Sequence, residues 1–358
     1  MQLTPEQAER LKKISILSLK IGLSVGIIAY LVWRAIQPRE GGPNVFANLI
    51  NQPKHWGTLA GAWVLCATAT MLTLVRWWYL VRALDLPLRP TNALRIGFLG
   101  YLFNLAPMGI VGGDLLKAVM LAREFPEHRA KAVASVAVDR IIGLYMLFVL
   151  AAVSIISTGF WDIQVPEIRF ICNLTFAATI LGGVGIGALM TPGVTEGKLT
   201  AALGRIPRLG RAIEDLIEAI RMYRRQPNVL LNAAAMSLGV HSLFATGIYL
   251  IASGLPGEVL SLGTHFVVSP LSASTGALPL PMGPFELVLD FLYTRVPGEA
   301  DIAPGQGLVV ALAYRLFCIL IAMIGVGYYL GSRQEVSEVM QKAEQDQHAE
   351  HPPKSETA

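Results

Sequence analysis

The sequence is poor in charged residues: only 15% of its 358 residues are Asp, Glu, Lys or Arg, whereas soluble domains carry about 25%. This shortage argues against a water-soluble domain. A hydrophobic content of 53% and a mean hydropathy of +0.52 favour lipid as the solvent. Cysteine is also scarce. Cys66, Cys172 and Cys318 lie in apolar stretches without Cys-x-x-Cys spacing, so neither a disulfide framework nor a zinc site is indicated, and we expect packing roles.

Positive charge is in small excess, with 29 Lys and Arg against 25 Asp and Glu, and it forms no basic repeat. Nucleic acid is therefore not an expected partner, and anionic lipid headgroups are the better counter-charge. The sequence contains no nucleotide-binding loop, metal-ligand cluster or nucleophile motif. We expect neither a cofactor nor a metal.

Six apolar stretches are long enough to cross about 30 Å of hydrocarbon as helices. They cover residues 14–36, 57–80, 132–158, 169–191, 229–253 and 307–331. The predicted fold class is an all-α polytopic membrane protein. Its membrane domain covers residues 1–331, with a first half at about 14–191 and a second at about 229–331. The polar residues 332–358 are predicted to form a disordered cytoplasmic tail.

Two further apolar stretches, residues 94–122 and 263–292, are interrupted at their centres by proline and glycine. The predicted breaks are Pro107, Gly109, Pro281 and Gly283. Such residues end helices, and each half is too short to cross the membrane. We therefore predict two re-entrant helical hairpins, which are tolerated at membrane depth only when buried in protein or lining a wet cavity.

The distribution of basic residues predicts the orientation. With the N-terminus inside, the cytoplasmic segments hold 20 of the 29 Lys and Arg, and the outer segments hold five. Because basic residues are retained on the cytoplasmic side, both termini are predicted to be cytoplasmic. Between the two halves, at about 197–226, apolar residues recur at three and four among six arginines. This pattern predicts a basic amphipathic linker helix on the cytoplasmic surface.

The tripeptide Pro-Met-Gly occurs at both predicted breaks and is followed each time by a carboxylate, Asp114 or Glu286. Arg140 lies 31 residues after Gly109, and Arg315 lies 32 residues after Gly283. The order span, hairpin, charged span therefore occurs twice, and the predicted orientation relates the two units by inversion. Inverted repeats with broken helices are typical of transporters. The alternative is a duplication retained for packing alone.

Ionisable residues at membrane depth cost roughly 2.5 to 3.5 kcal/mol each on insertion scales, so each calls for a partner or a purpose. We predict two ion pairs, Asp114 with Arg140 and Glu286 with Arg315. The pairs could be purely structural, or the arginines could bind phosphate beside the free amides of a hairpin. The candidate substrate-binding residues are Asn104, Gly112, Gly113, Asp114, Asp139, Arg140, Glu286 and Arg315.

Three other residues give weaker signals. Arg76 is close enough to the inner interface to snorkel, so no special role is predicted for it. Lys117, near the cytoplasmic mouth of the first hairpin, could belong to the phosphate pocket or equally be a solvated or snorkelling charge. His241 lies in the middle of a span, where a hydrogen-bonded packing role is favoured over that of a proton carrier.

These motifs resemble the lysylphosphatidylglycerol synthase transmembrane family, a flippase-like domain of the bacterial cytoplasmic membrane. The resemblance covers about residues 14–331 and is carried by Asn104, Pro107, Gly112-Gly113-Asp114, Asp139-Arg140, Leu280-Pro281, Gly283, Glu286 and Tyr314-Arg315. In family members that are fused to a soluble aminoacyl-transferase domain, the membrane part is taken to move aminoacylated phosphatidylglycerol from the inner to the outer leaflet. The resemblance implies a related role for this chain.

The chain departs from those fused members in two respects. The polar residues 332–358 are too few to bury a catalytic core, so synthase activity is not expected. The stretch Gly283-Pro284-Phe285-Glu286 also replaces a more glycine-rich version. The resemblance therefore implies a translocase-like module without the synthase.

The leading hypothesis is a lipid flippase in which Arg140 and Arg315 hold the headgroup while the acyl chains stay in the bilayer. Its expected partner is a membrane phospholipid or lipid-linked substrate, with a second copy of the chain or a separate lipid-modifying enzyme as further candidates. The alternative is a membrane-embedded transferase or its accessory subunit that acts on a lipid-linked sugar or an aminoacyl lipid, with Asp114 or Glu286 as general base. A scaffold without transport is a third.

Overall fold

The structure is a computed structural model that describes residues 5–37, 44–105, 112–191, 221–278, 280, 282–296, 302–333 and 336–338. Most of these residues are helical, and none of them forms a strand. The α-helices are α1 (Pro5–Ile36), α2 (Val45–Asn51), α3 (Trp56–Ala83), α4 (Pro90–Leu105), α5 (Gly113–Glu124), α6 (Arg129–Ser157), α7 (Pro166–Met190), α8 (Pro227–Gly254), α9 (Leu262–Ser274), α10 (Pro284–Arg295) and α11 (Gln306–Gly331).

Six of the helices are long and apolar enough to cross a membrane: α1 over Ser18–Ile36, then α3, α6, α7, α8 and α11. Their lengths follow from unbroken apolar sequence between polar or proline-containing ends. The 25 residues of α7 correspond to about 37 Å at about 1.5 Å per residue. The six predicted spans are therefore confirmed, and the chain is an all-α polytopic membrane protein.

Four shorter helices form two pairs: α4 packs against α5, and α9 packs against α10. The 12 residues of α5 and of α10 correspond to about 18 Å each, well under the thickness of the hydrocarbon core. We call α4 and α5 the first helix pair, and α9 and α10 the second helix pair. The predicted breaks Pro107, Gly109 and Pro281 lie outside the described residues. The re-entrant path of the two pairs therefore stays a prediction.

The two halves of the chain pack reciprocally. At the centre, α3 and α8 run antiparallel, because Leu59 contacts Gly254 at one end and Leu72 contacts Gly239 further along. Around them α4 packs against α11, while α9 packs against α6. Each short helix pair thus contacts the long helix that follows the other pair. This pattern is the one expected from the predicted inverted repeat.

Two apolar clusters lie at opposite ends of the α3 and α8 pair. One surrounds the first helix pair and includes Trp77, Leu99 and Leu121. The other surrounds the second helix pair and includes Ile251 and Leu289. In lipid such clusters stabilise the fold by close packing more than by removal from water.

Two segments outside the membrane helices also contribute contacts. The predicted linker helix lies largely in residues 192–220, outside the described residues. At its end, the Tyr223 hydroxyl donates to the Leu80 carbonyl at 2.8 Å, and the Gln226 amide donates to the Ala83 carbonyl at 2.8 Å. In the polar tail, Val336 is buried in the first cluster. These contacts attach both segments to the end of the bundle that holds the first helix pair.

Candidate functional site

The first helix pair is held together by an unusually close approach of its two backbones. A Cβ atom on Gly113 would collide with the carbonyl group of Gly100 on α4, so glycine is required there. The Gly113 amide donates to Asn104 Oδ1 at 2.9 Å. This bond satisfies one of the amides that the first turn of a helix leaves without an intrahelical acceptor. Asn104 therefore positions the start of α5.

Asp114, in the first turn of α5, binds Arg140 on α6. Arg140 Nε lies 2.5 Å from Asp114 Oδ2, and Arg140 Nη2 donates to Asp114 Oδ1 at 2.7 Å. This two-point geometry suits a guanidinium and a carboxylate, and the predicted pair is confirmed. Both side chains are accessible, with exposed fractions of 56% for Arg140 and 34% for Asp114. Asn104 and Gly112 beside them are also exposed.

Glu286, in the first turn of α10, makes the equivalent contact in the second half. Its Oε1 accepts from Arg315 Nη2 at 2.6 Å and from Arg315 Nε at 3.0 Å. Its Oε2 accepts from the Gly283 amide at 2.7 Å. Gly283 has φ of 105°, a conformation that favours glycine. The second predicted pair is therefore also confirmed.

The two pairs differ in accessibility. The side chain of Glu286 is fully buried and that of Arg315 is 20% exposed, in contrast to the open Asp114–Arg140 pair. Since the two units share the same order of elements, this difference lies in the packing around them rather than in the pair itself. The first pair is the one that an incoming group can reach in this structure.

Asp139 faces away from the open pair and binds Arg76 on α3. Arg76 Nε donates to Asp139 Oδ1 at 2.8 Å, and Arg76 Nη1 donates to the Ser237 hydroxyl at 2.6 Å. The prediction that Arg76 snorkels to the interface is wrong: Arg76 is only 4% exposed, because α8 and α6 cover it. The contact links α3, α6 and α8 at one depth.

Lys117 is buried in the same region, with an exposed fraction of 6%. Its ammonium lies 5.4 Å from the centre of the Trp77 ring, and its methylenes pass over Gly100. The prediction of a solvated or snorkelling charge is therefore wrong. The reason is that α5 presents Lys117 towards α3 and α4, one turn beyond Asp114, and not towards the surface.

Two polar contacts in the second half were not predicted from the sequence. Asp290 Oδ1 accepts from the amides of Gly305 at 3.0 Å and Leu308 at 3.1 Å, which caps the start of α11. His265 Nε2 lies 2.5 Å from the Tyr293 hydroxyl, with both side chains buried. A signal existed for Asp290, because it lies four residues after Glu286 and thus on the same helix face.

The remaining predictions concern packing residues. His241 Nε2 lies 2.9 Å from the Gly143 carbonyl oxygen, which confirms the packing role favoured for it. Cys66, Cys172 and Cys318 are free and buried, as expected. Across the described ranges, no three His, Cys, Asp or Glu side chains form a group that could hold a metal ion.

Six membrane-length helices, two short helix pairs and a carboxylate–guanidinium contact on each pair define a multi-pass integral membrane protein with ionisable groups inside its helix bundle. The chain belongs to the family described as the lysylphosphatidylglycerol synthase TM region, whose model matches residues 18–325. The resemblance drawn from the motifs is therefore confirmed. No curated protein and no solved structure gives a match.

Proposed function

We propose that this protein is a lipid translocase that moves a phospholipid or a lipid-linked headgroup between the leaflets of the bacterial cytoplasmic membrane. The proposal depends above all on one observation: in each half a guanidinium binds the first turn of a short helix, and one of the two guanidinium groups is accessible while the other is largely buried. The headgroup would bind first at Arg140 and later at Arg315, while its acyl chains remain in the bilayer.

A phosphate is the chemical group that this arrangement suits best. Arg140 presents a planar donor fork, and such forks bind phosphate oxygens at two points. The first turn of α5 adds backbone amides and the positive end of a helix dipole. Because Arg140 is more than half exposed, it can exchange the Asp114 carboxylate for a phosphate without unfolding either helix.

Reciprocal packing supports transport over binding alone. The α4 helix of the first pair contacts α11, and the α9 helix of the second pair contacts α6. A movement that opens one pair therefore shifts the long helix that carries the arginine of the other pair. Alternating exposure of two related sites is the mechanism associated with inverted repeats.

The transferase alternative is less well supported by the contacts. It requires Asp114 or Glu286 to accept a proton as general base. Both oxygens of each carboxylate are already occupied, those of Asp114 by Arg140 and those of Glu286 by Arg315 and the Gly283 amide, so neither has an oxygen free to accept a proton from a substrate. Neither side chain is therefore a good general base in this arrangement.

Leaflet exchange in liposomes tests the proposal. The full chain would be reconstituted with fluorescent anionic and zwitterionic phospholipids, and loss of fluorescence to an external quencher would be followed. Wild type should accelerate exchange over protein-free liposomes. Arg140→Ala and Arg315→Ala should each slow it by about 10- to 100-fold, because a hydrogen bond to a charged group is worth about 1.5 to 3 kcal/mol.

Arg295→Ala is the matched control, because Arg295 forms a half-exposed pair with Glu167 at 3.5 Å, away from both sites. It should exchange lipid at the wild-type rate. Background rates for wild type and all three variants would refute translocation of the phospholipids tested.

A further inference from the structure

Lys117 on α5 lies among four other charges that act on it, and these five do not cancel. Asp114 pairs with Arg140, and Asp139 pairs with Arg76. Lys117 is the fifth charge, and the other four are the ones that act on it electrostatically. In the part of the chain that the structure describes, no carboxylate lies within 4.0 Å of its ammonium. Lys117 and the four charges that act on it therefore sum to one excess positive charge when all five are ionised.

The Trp77 ring does not balance this excess. A cation above an aromatic face gains about 0.5 to 2 kcal/mol, whereas a buried ion without a partner costs several. The start of α5 adds further positive potential, since its first-turn amides lie at the positive end of the helix dipole. An incoming anion would relieve both.

The second helix pair lacks this excess. Counting three residues from the carboxylate, as from Asp114 to Lys117, leads from Glu286 to Leu289, which is buried and apolar. Among the described residues, the other ion pairs there are Asp290 with Arg34 at 3.9 Å and Arg295 with Glu167 at 3.5 Å, so these charges balance. The two sites therefore differ in net charge as well as in accessibility.

We propose that the first helix pair is a charge-selective site for a headgroup of net negative charge, and that Lys117 is the residue that sets this selectivity. The inference builds on the proposed function by naming the class of cargo: a phosphodiester without a compensating ammonium. Arg140 contacts the phosphate, and the positive charge of Lys117 attracts the negatively charged headgroup without contacting it. Delivery to the neutral second site then weakens the binding and favours release.

Binding of short-chain lipids to the full-length protein in detergent tests this site. The probes are dihexanoylphosphatidylglycerol (negative), dihexanoylphosphatidylcholine (neutral overall) and inorganic phosphate, with affinities measured by thermophoresis. Wild type should bind the glycerol lipid at least about tenfold more tightly than the choline lipid, because the field of an uncompensated unit charge is screened less at an effective dielectric constant of about 20 than in water. Equal affinities for the two lipids would overturn the proposal.

Three variants assign the selectivity to Lys117. Lys117→Met should reduce the preference to within about twofold, whereas Lys117→Arg, which keeps the charge, should retain it. Lys131→Met is the control, since the Lys131 ammonium donates to the Leu84 carbonyl at 2.9 Å away from the site. A full preference in Lys117→Met would overturn the proposal, because the amine would then be neutral or too distant to act.

The remaining outcomes separate this inference from the proposed function. Inorganic phosphate binding as tightly as the glycerol lipid would refute a lipid headgroup as ligand. Charge-selective lipid binding without leaflet exchange would refute translocation and leave the site standing. Leaflet exchange without charge preference in binding would refute the selective site alone.

Discussion

Glu286→Ala should destabilise the protein much more than Asp114→Ala, although each substitution removes a carboxylate from an arginine. Glu286 is fully buried and accepts three hydrogen bonds, two from Arg315 and one from the Gly283 amide. Its loss leaves a largely buried guanidinium and an uncapped helix. Asp114 accepts its bonds in an accessible setting, so water can replace it.

The expected magnitudes follow from these surroundings. Breaking a buried ion pair by removing one partner costs about 3 to 5 kcal/mol. An exposed pair contributes about 0.2 to 1 kcal/mol, and with exposed fractions of 34% and 56% the Asp114–Arg140 pair belongs near that range. The difference between the two variants should therefore be at least about 2 kcal/mol in the free energy of unfolding.

Unfolding by sodium dodecyl sulfate in mixed micelles measures this difference for a membrane protein. Both variants would be compared with wild type at constant lipid and detergent composition. The double variant Glu286→Gln, Arg315→Met should recover part of the loss, because it removes both charges together. Equal losses in Glu286→Ala and Asp114→Ala would refute the reasoning that burial separates the two pairs.

Two further comparisons use neighbouring residues as controls for each other. Gly113→Ala should prevent correct packing of α4 on α5, because its Cβ would collide with a backbone carbonyl, whereas a Cβ at Gly112 would meet open space. The yield of monodisperse protein on size-exclusion chromatography compares the two variants. Equal yields would contradict the close approach of the two helices. Arg76→Ala should lower the free energy of unfolding by about 3 to 5 kcal/mol, since it leaves Asp139 buried without its partner. Arg140→Ala should lower it by less than about 1 kcal/mol. The same detergent titration measures both variants, and a larger loss for Arg140→Ala would refute the assignment of Arg76 to the interior.

The long helices could be predicted from the sequence because hydropathy and length alone identify a span. The two ion pairs were also within reach, since each charge recurs at nearly the same distance from a repeated tripeptide. Because the same spacing occurs in both halves of the sequence, each half supports the pairing predicted for the other. The predicted re-entrant path rests on Pro107, Gly109 and Pro281, which lie outside the described residues.

The errors at Arg76 and Lys117 have a common cause. Each lies near a helix end in the sequence, where a long side chain can usually reach water. Their burial depends on distant elements: the partner of Arg76 lies 63 residues away, and Ser237 lies 161 residues away. Position along one helix does not reveal what a helix from the other half covers.

The two helix pairs differ in which residues cap the short helix and which bind the arginine. In the second pair one side chain, Glu286, both caps its own helix and binds the arginine. In the first pair these duties belong to separate residues, since Asn104 holds the Gly113 amide while Asp114 holds Arg140. Arg140 can therefore change partners repeatedly with the end of α5 still anchored. In the second pair, a movement of Glu286 that releases Arg315 would also remove the cap from α10.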